Sequence, residues 1–296
     1  MKFDRILAAL YTEPWAIRPE AHASLAQVVQ RNITGQTLPT EGQLRAQVTP
    51  DRALLSAWPQ ADIVVGPMDD DGDPLIPQMQ RVGNVAVIPV FGTLGRHLSW
   101  LAVWCGGCDY SYIEQMAELA EADPNIDTII FYFRSPGGRV TGCEECGSEI
   151  AALTKRTIAY SDVEMCSSAY WLASACDEII CSPSAIVGSI GVFIAAIDNS
   201  SAWADMGQKL ELFRSGPLKA AGIAGKSWTD EERKAYQVQV DELFSAFANQ
   251  VKASRPGVTD DCLKGQWMSG RAAVECSLAD GLVNCLDDVV AAAIAA

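Results

Sequence analysis

Histidine is nearly missing: the 296-residue chain has two, His22 and His97. Both lie outside the strand–turn–helix segments where a nucleophile and its base would converge. That disfavours a Ser-His-Asp triad and a multi-histidine metal centre, and leaves lysine as the base for any serine nucleophile. Basic residues are also scarce. Lys and Arg number 22 against 37 Asp and Glu, for a net charge of -15. The basic footprint that nucleic acid requires is therefore lacking. Long hydrophobic runs are missing too. The apolar run at 6–11 is broken by Thr12, Glu13 and Pro14, and the alanine-rich run at 289–296 is too short to span a bilayer. No small-residue cleavage site follows the first run. The expectation is a chain with no membrane segment and no export signal.

What is present suits a folded enzyme. Apolar residues make up 49% of the chain, and the length allows a sizeable core. Ten cysteines include two C-x-x-C pairs, Cys105/Cys108 and Cys143/Cys146. Four thiolates can hold zinc, but the gap between the pairs exceeds the usual ribbon spacing. Cys143 and Cys146 fall one helical turn apart, where small apolar packing is the commoner role. No metal and no cofactor is expected. The acidic run Asp69-Asp70-Asp71-Gly72-Asp73 resembles a calcium loop only superficially. In that register, positions one and twelve are Pro67 and Gln78, so both required carboxylates are missing.

That run marks a boundary. Residues 1–75 read as a loosely attached helical extension and linker, with helical spacing at 21–30, and residues 76–296 read as one domain. From Asn84 strand and helix alternate. Strands are expected at 85–90, 128–133, 157–160, 178–181 and 210–213. Helices are expected at 112–122, from the capping box Thr141-Gly142-Cys143-Glu144 to Leu153, and through 170–175. A second capping box, Thr229-Asp230-Glu231-Glu232, opens a long helix ending at Pro256-Gly257. Its stripe of Tyr236, Val240, Phe244, Phe247 and Val251 packs on its own sheet or serves assembly. Such alternation implies a largely parallel sheet covered by helices.

Three loops are suited to chemistry. The strand at 128–133 stops at Ser135-Pro136-Gly137-Gly138, which brings bare backbone N–H groups to one place, as an oxyanion hole needs. Met165-Cys166-Ser167-Ser168-Ala169-Tyr170-Trp171 follows a strand and opens a helix. A serine there is either a helix cap or a nucleophile favoured by the local positive potential. Ser215-Gly216-Pro217-Leu218-Lys219 sets a lysine in a Gly/Pro loop, where the plain alternative is a solvated surface lysine.

In order and spacing these segments resemble the serine peptidase family of signal peptide peptidase A, and within it the phage-type members that mature capsids. Val87-Ile88-Pro89-Val90-Phe91-Gly92 resembles the opening strand, Ser135-Pro136-Gly137-Gly138 the oxyanion turn, and Ser167-Ser168-Ala169-Tyr170-Trp171 the nucleophile helix. Gly188-Ser189-Ile190-Gly191-Val192 resembles the G-S-[IL]-G-V strand, and Ser215 to Lys219 resembles S-G-x-x-K. Trp267-Met268-Ser269-Gly270-Arg271 with Gly281-Leu282-Val283 resembles the closing block. Pro14-Trp15-Ala16-Ile17-Arg18-Pro19-Glu20 is similar to the N-terminal segment of the phage-type members.

The resemblance implies an α/β fold with a Clp/crotonase-like core: a parallel sheet, covering helices and an N-terminal helical extension. It implies a Ser-Lys endopeptidase acting on protein or peptide substrates in a host cytoplasm or phage prohead. Ser167 is the implied nucleophile, Lys219 the base and Ser189 the residue orienting that lysine. Gly138 and Ser168 are the implied oxyanion donors. It further implies a homo-oligomer with active sites near subunit interfaces, and no nucleic-acid or membrane partner. Ser168-Ala169 departs from the usual Gly-Gly. A crotonase-type acyl-CoA enzyme, or an idle assembly protein of the same fold, are the alternatives.

Overall fold

A computed structural model describes residues 10, 13–33, 76, 78–99, 102–103 and 106–296. The chain begins with β1 (Trp15–Ile17) and α1 (Pro19–Ile33), then β2 (Gln80–Val82), β3 (Val85–Phe91), β4 (Thr93–Gly95) and β5 (Gly107–Asp109). Next come α2 (Tyr110–Ala122), β6 (Thr128–Arg134), β7 (Gly137–Arg139), α3 (Cys143–Ala151), β8 (Arg156–Ser161) and β9 (Glu164–Cys166). After these follow α4 (Ser168–Ala173), β10 (Glu178–Cys181), β11 (Ile186–Gly188), α5 (Ser200–Asp205) and α6 (Asp230–Ser254). The last elements are β12 (Trp267–Ser269), α7 (Gly270–Glu275), β13 (Gly281–Leu282) and α8 (Leu286–Ala295).

The central sheet has six strands in the order β13-β10-β8-β6-β3-β2, parallel throughout except where β2 meets β3. The inner strands β3 and β6 are apolar on both faces, as buried parallel strands must be. Alternation sorts them. Ala86, Ile88, Val90, Ile129, Phe131 and Phe133 pack into the larger core with α2, α3, α4 and α6. Val85, Val87, Ile130, Tyr132, Ile158 and Tyr160 face α8 through Val289, Val290 and Ala293. The expected helix-covered parallel sheet is thus the observed one. Among the described residues no helix is long and apolar enough to cross a membrane.

Two small sheets above the strand ends carry the loops of interest. One has the order β1-β7-β4-β5, the other β12-β11-β9. Residues 15–17 are buried and paired antiparallel with β7. At these positions the expectation of a loosely attached N-terminus does not hold. Most of residues 1–75, including the acidic run at 69–73 and the proposed boundary, lies outside the described residues.

Other corrections are local. The box at Thr141 does not form: α3 starts from Gly142, at φ 88 and with no side-chain cap, and Arg96 takes the Gly142 carbonyl at 3.1 Å. A left-handed entry glycine leaves Thr141 outside the capping position. Residues 210–213 form no strand, because no sheet edge meets them; Phe213 is 92% exposed. The box at Thr229 is present, and α6 runs the expected length. The C-terminal half of α6 buries Phe247, Ala248 and Val251. Phe247 stacks on Trp171 of α4 at 4.6 Å, and Gln250 accepts the Trp171 indole N–H at 2.7 Å.

Candidate functional site

The turn after β6 is built around a buried serine. Ser135 Oγ donates to the Gly92 carbonyl at 2.6 Å and accepts the Gly137 N–H at 3.2 Å. Its own N–H donates to the Glu164 carbonyl, and its carbonyl accepts the Cys166 N–H. These bonds lay the glycine turn beside the strand that leads to Ser167. Gly137 has φ 103, and a Cβ there would sit 2.3 Å from the Ala16 carbonyl oxygen and 2.9 Å from Ser167 Cβ. Gly138 approaches β4 so closely that a Cβ would lie 2.0 Å from the Leu94 carbonyl oxygen. The motif marks the glycines by their bare N–H groups, whereas the bracing role of Ser135 depends on Gly92, more than forty residues away, and carries no local signal.

Ser167 stands between β9 and α4 with φ 56 and ψ -120. Such a backbone costs a non-glycine residue on the order of 1–3 kcal/mol and persists only where the surroundings impose it. Its N–H donates to the Gly188 carbonyl at 2.7 Å. Its hydroxyl makes no capping bond to α4. The cap reading of this serine is therefore excluded, and its Oγ contacts the Gly191 carbonyl at 3.4 Å. Ser168 opens α4, so its N–H belongs to the first-turn donors that lack an intrahelical acceptor. The Ser168 hydroxyl is buried without a hydrogen-bond partner.

Ser189 follows β11, is 5% exposed and has φ 53, with its N–H on the Gln266 carbonyl at 2.7 Å. Ser167, Gly138, Ser168 and Ser189 therefore gather at the ends of β7, β9 and β11. Lys219 does not join them in the single chain. It is exposed, its N–H bonds to the Gly216 carbonyl at 3.1 Å, and among the described residues its ammonium has no hydrogen-bond partner.

The segment bearing Lys219 is tied down at both ends by one carboxylate. Glu232, fully buried in the first turn of α6, pairs with Arg214 at 3.1 Å and with Lys226 at 2.5 Å. Lys226 above all, then the Thr229 N–H, holds the Glu232 carboxyl down to about 2. An unfolded glutamate titrates near ~4.3. Because the folded value is depressed, the stabilisation is complete above pH ~4.3 and is lost as pH falls towards 2. Glu232→Gln is expected to lower Tm at pH 7, with the gap from the parent closing by about pH 2. Thermal melts across that range check it; a gap independent of pH would refute the ion-pair role.

The cysteines pack. Cys143 and Cys146 of α3 are fully buried, and burial pushes both thiols well up; that of Cys108 rises to about 12. Cys105 lies outside the described residues.

A buried serine in a strained backbone, set between a glycine turn and the first turn of a helix and with no neighbouring histidine, suits acyl transfer. Comparison with known proteins agrees. The family model described as Peptidase family S49 matches residues 150–296. Capsid assembly protease C of Escherichia phage lambda is 32% identical over 227 residues, covering 75% of this chain and 51% of that protein. Head-tail preconnector protein GP5 of Enterobacteria phage P21 is 30% identical over 213 residues, covering 70% and 42%. Protease 4 of Salmonella typhi is 28% identical over 182 residues, covering 59% and 29%. The chain thus spans about half, or less, of the length of these relatives.

Proposed function

Because residues 150–296 match the model of peptidase family S49, we propose that the chain is a Ser-Lys endopeptidase of that family, cutting extended polypeptide during phage head assembly. The observation that carries this reading is the strained backbone of Ser167 against the Gly137–Gly138 turn. Ser167 Oγ attacks the peptide carbonyl while its proton passes to Lys219 Nζ. The resulting oxyanion takes hydrogen bonds from the N–H groups of Gly138 and Ser168. The protonated lysine then gives its proton to the leaving amine, and water repeats the cycle on the acyl-enzyme. Ser189 holds the lysine in line. Scaffold or capsid protein is the proposed substrate class; one phage relative is named a capsid assembly protease and the other a head-tail preconnector protein.

A lysine base must be neutral, and burial is the means of lowering its pKa. Assembly supplies that burial. Ile197, Met206, Phe213, Leu218, Ile223 and Val238 are all exposed and cluster in the stretch that bears Lys219. Apolar side chains concentrated in this way mark an interaction surface. A second copy of the chain covers the stretch and drives Lys219 toward a serine, its own or its neighbour's.

The test follows unfolded casein by mass spectrometry while sedimentation reports the oligomer. The parent is expected to assemble and cut. Lys219→Ala is expected to assemble equally but cut at least about 100-fold more slowly. An assembled parent that leaves casein and phage scaffold protein intact would favour the idle assembly protein.

A further inference from the structure

The peptide groove of this site is already filled, and by the chain itself. Residues 14–18 run between two backbone edges and pair with both. On one side the Val140 N–H donates to the Pro14 carbonyl at 3.2 Å, and the Arg18 N–H donates to the Pro136 carbonyl at 2.9 Å. In the same antiparallel ladder Ala16 stands opposite Gly138. Hydrogen-bonded pairs recur every second residue in such a ladder. The Ala16–Gly138 pair is therefore the bonded kind, with the Gly138 N–H aimed at the Ala16 carbonyl. On the other side Trp15 exchanges both backbone bonds with Phe193, at 2.9 and 3.0 Å. Phe193 lies just beyond the Gly191 carbonyl that Ser167 Oγ contacts.

Side chains fasten the segment to the walls of the groove. Arg18 pairs with Glu164 of β9 at 2.8 Å and lies over the Trp267 ring of β12 at 5.6 Å. Glu13 pairs with Arg139 of β7. Trp15 and Ile17 pack with Leu10 and Phe193 in a cluster separate from the main cores, and His22 sits edge-on to both aromatic rings. Ala16 is fully buried, and a Cβ built on Gly137 would lie within 3 Å of both its carbonyl oxygen and Ser167 Cβ.

Given the peptidase reading above, we infer that residues 14–18 are a pseudosubstrate strap, bound in the register of a substrate with Ala16 at the reacting position. Backbone donors and acceptors on both edges are spent on the strap, so no second strand can pair there. A substrate polypeptide must displace it. The occupant that replaces it is an extended peptide with a small residue where Ala16 now sits.

The test compares the full chain with the double variant Trp15→Gly/Arg18→Glu, which loosens the strap without touching Ser167, Lys219 or the glycine turn. Hydrogen exchange at the Val140 and Phe193 amides is expected to quicken. Casein cleavage is expected to rise about ten-fold, as the competent fraction of grooves increases. A synthetic peptide copying residues 12–20 is expected to reverse both changes. Faster exchange with an unchanged or lower rate, while the parent cuts casein, would overturn the strap. So would an intact mass showing the parent cut between Ala16 and Ile17, which makes the segment a substrate in cis. If exchange stays slow, Ala16→Pro, which deletes the N–H facing Gly138, takes the place of the double variant. If no protein cuts casein, the peptidase reading fails separately. Exchange then decides: renewed protection by the peptide supports the strap, and none refutes it.

Discussion

Ser167→Ala is expected to lower casein cleavage by on the order of 10⁴-fold or more, with assembly unchanged. The size of the loss follows from chemistry, since alanine offers no oxygen to form the acyl-enzyme. The neighbouring serine sharpens the test. Ser168 has a buried hydroxyl with no hydrogen-bond partner, and its proposed contribution is its backbone N–H. Ser168→Ala should therefore keep the rate within about threefold and hold or raise stability, because it removes an unsatisfied buried group. A third variant reads the strain directly. Ser167→Gly should be as inactive as the alanine variant, yet melt higher by roughly 2 °C. Glycine adopts φ 56 freely, and the relief outweighs its entropic cost by about 1 kcal/mol. Retained cleavage in Ser167→Ala, with loss in Ser168→Ala, would move the nucleophile by one residue.

The second large effect is expected at Gly137→Ala, with at least about a 100-fold fall in rate and a lower Tm. Two costs coincide there. The backbone has φ 103, unfavourable for any L side chain, and the new methyl would meet the Ala16 carbonyl oxygen at 2.3 Å and Ser167 Cβ at 2.9 Å. The Cys166 carbonyl, at 2.9 Å, closes the third side. The only relief is to shift the turn, which carries the Gly138 N–H off its mark. Gly106→Ala is the control. Gly106 also has positive φ, at 90, but nothing lies within 4 Å of its added Cβ. It should lose a little stability and no activity. Equal rates for Gly137→Ala and the parent would remove the glycine turn from the mechanism.

Much of this was legible in the chain because the signals were local and strong. Strand β6 is a run of Thr, Ile, Ile, Phe, Tyr, Phe and Arg, and β-branched and aromatic residues in that density fit a buried pleated surface. The turn after it, the serine before α4 and the capping box of α6 each carry their own sequence mark. The failures were of another kind. Residues 210–213 have the composition of a strand, but a strand exists only where an edge accepts it. The box at Thr141 lost to the left-handed Gly142. Residues 14–18 are too few to show a period, and their fate depends on an edge more than a hundred residues away. The position of Lys219 is likewise non-local, because what would bury it is not in the same chain segment.

The two aromatics that follow Ser167 add a constraint in time. The Tyr170 hydroxyl donates to the Leu278 carbonyl at 2.7 Å, and Trp171 is held by Phe247 and Gln250. Helix α4 therefore hangs from residues made long after it. During synthesis the ribosome releases Ser167 well before the groups that fix its helix. A nascent chain cannot fix α4, and with it the backbone of the proposed nucleophile, until residue 278 has emerged, so this part of the candidate site is set late in folding.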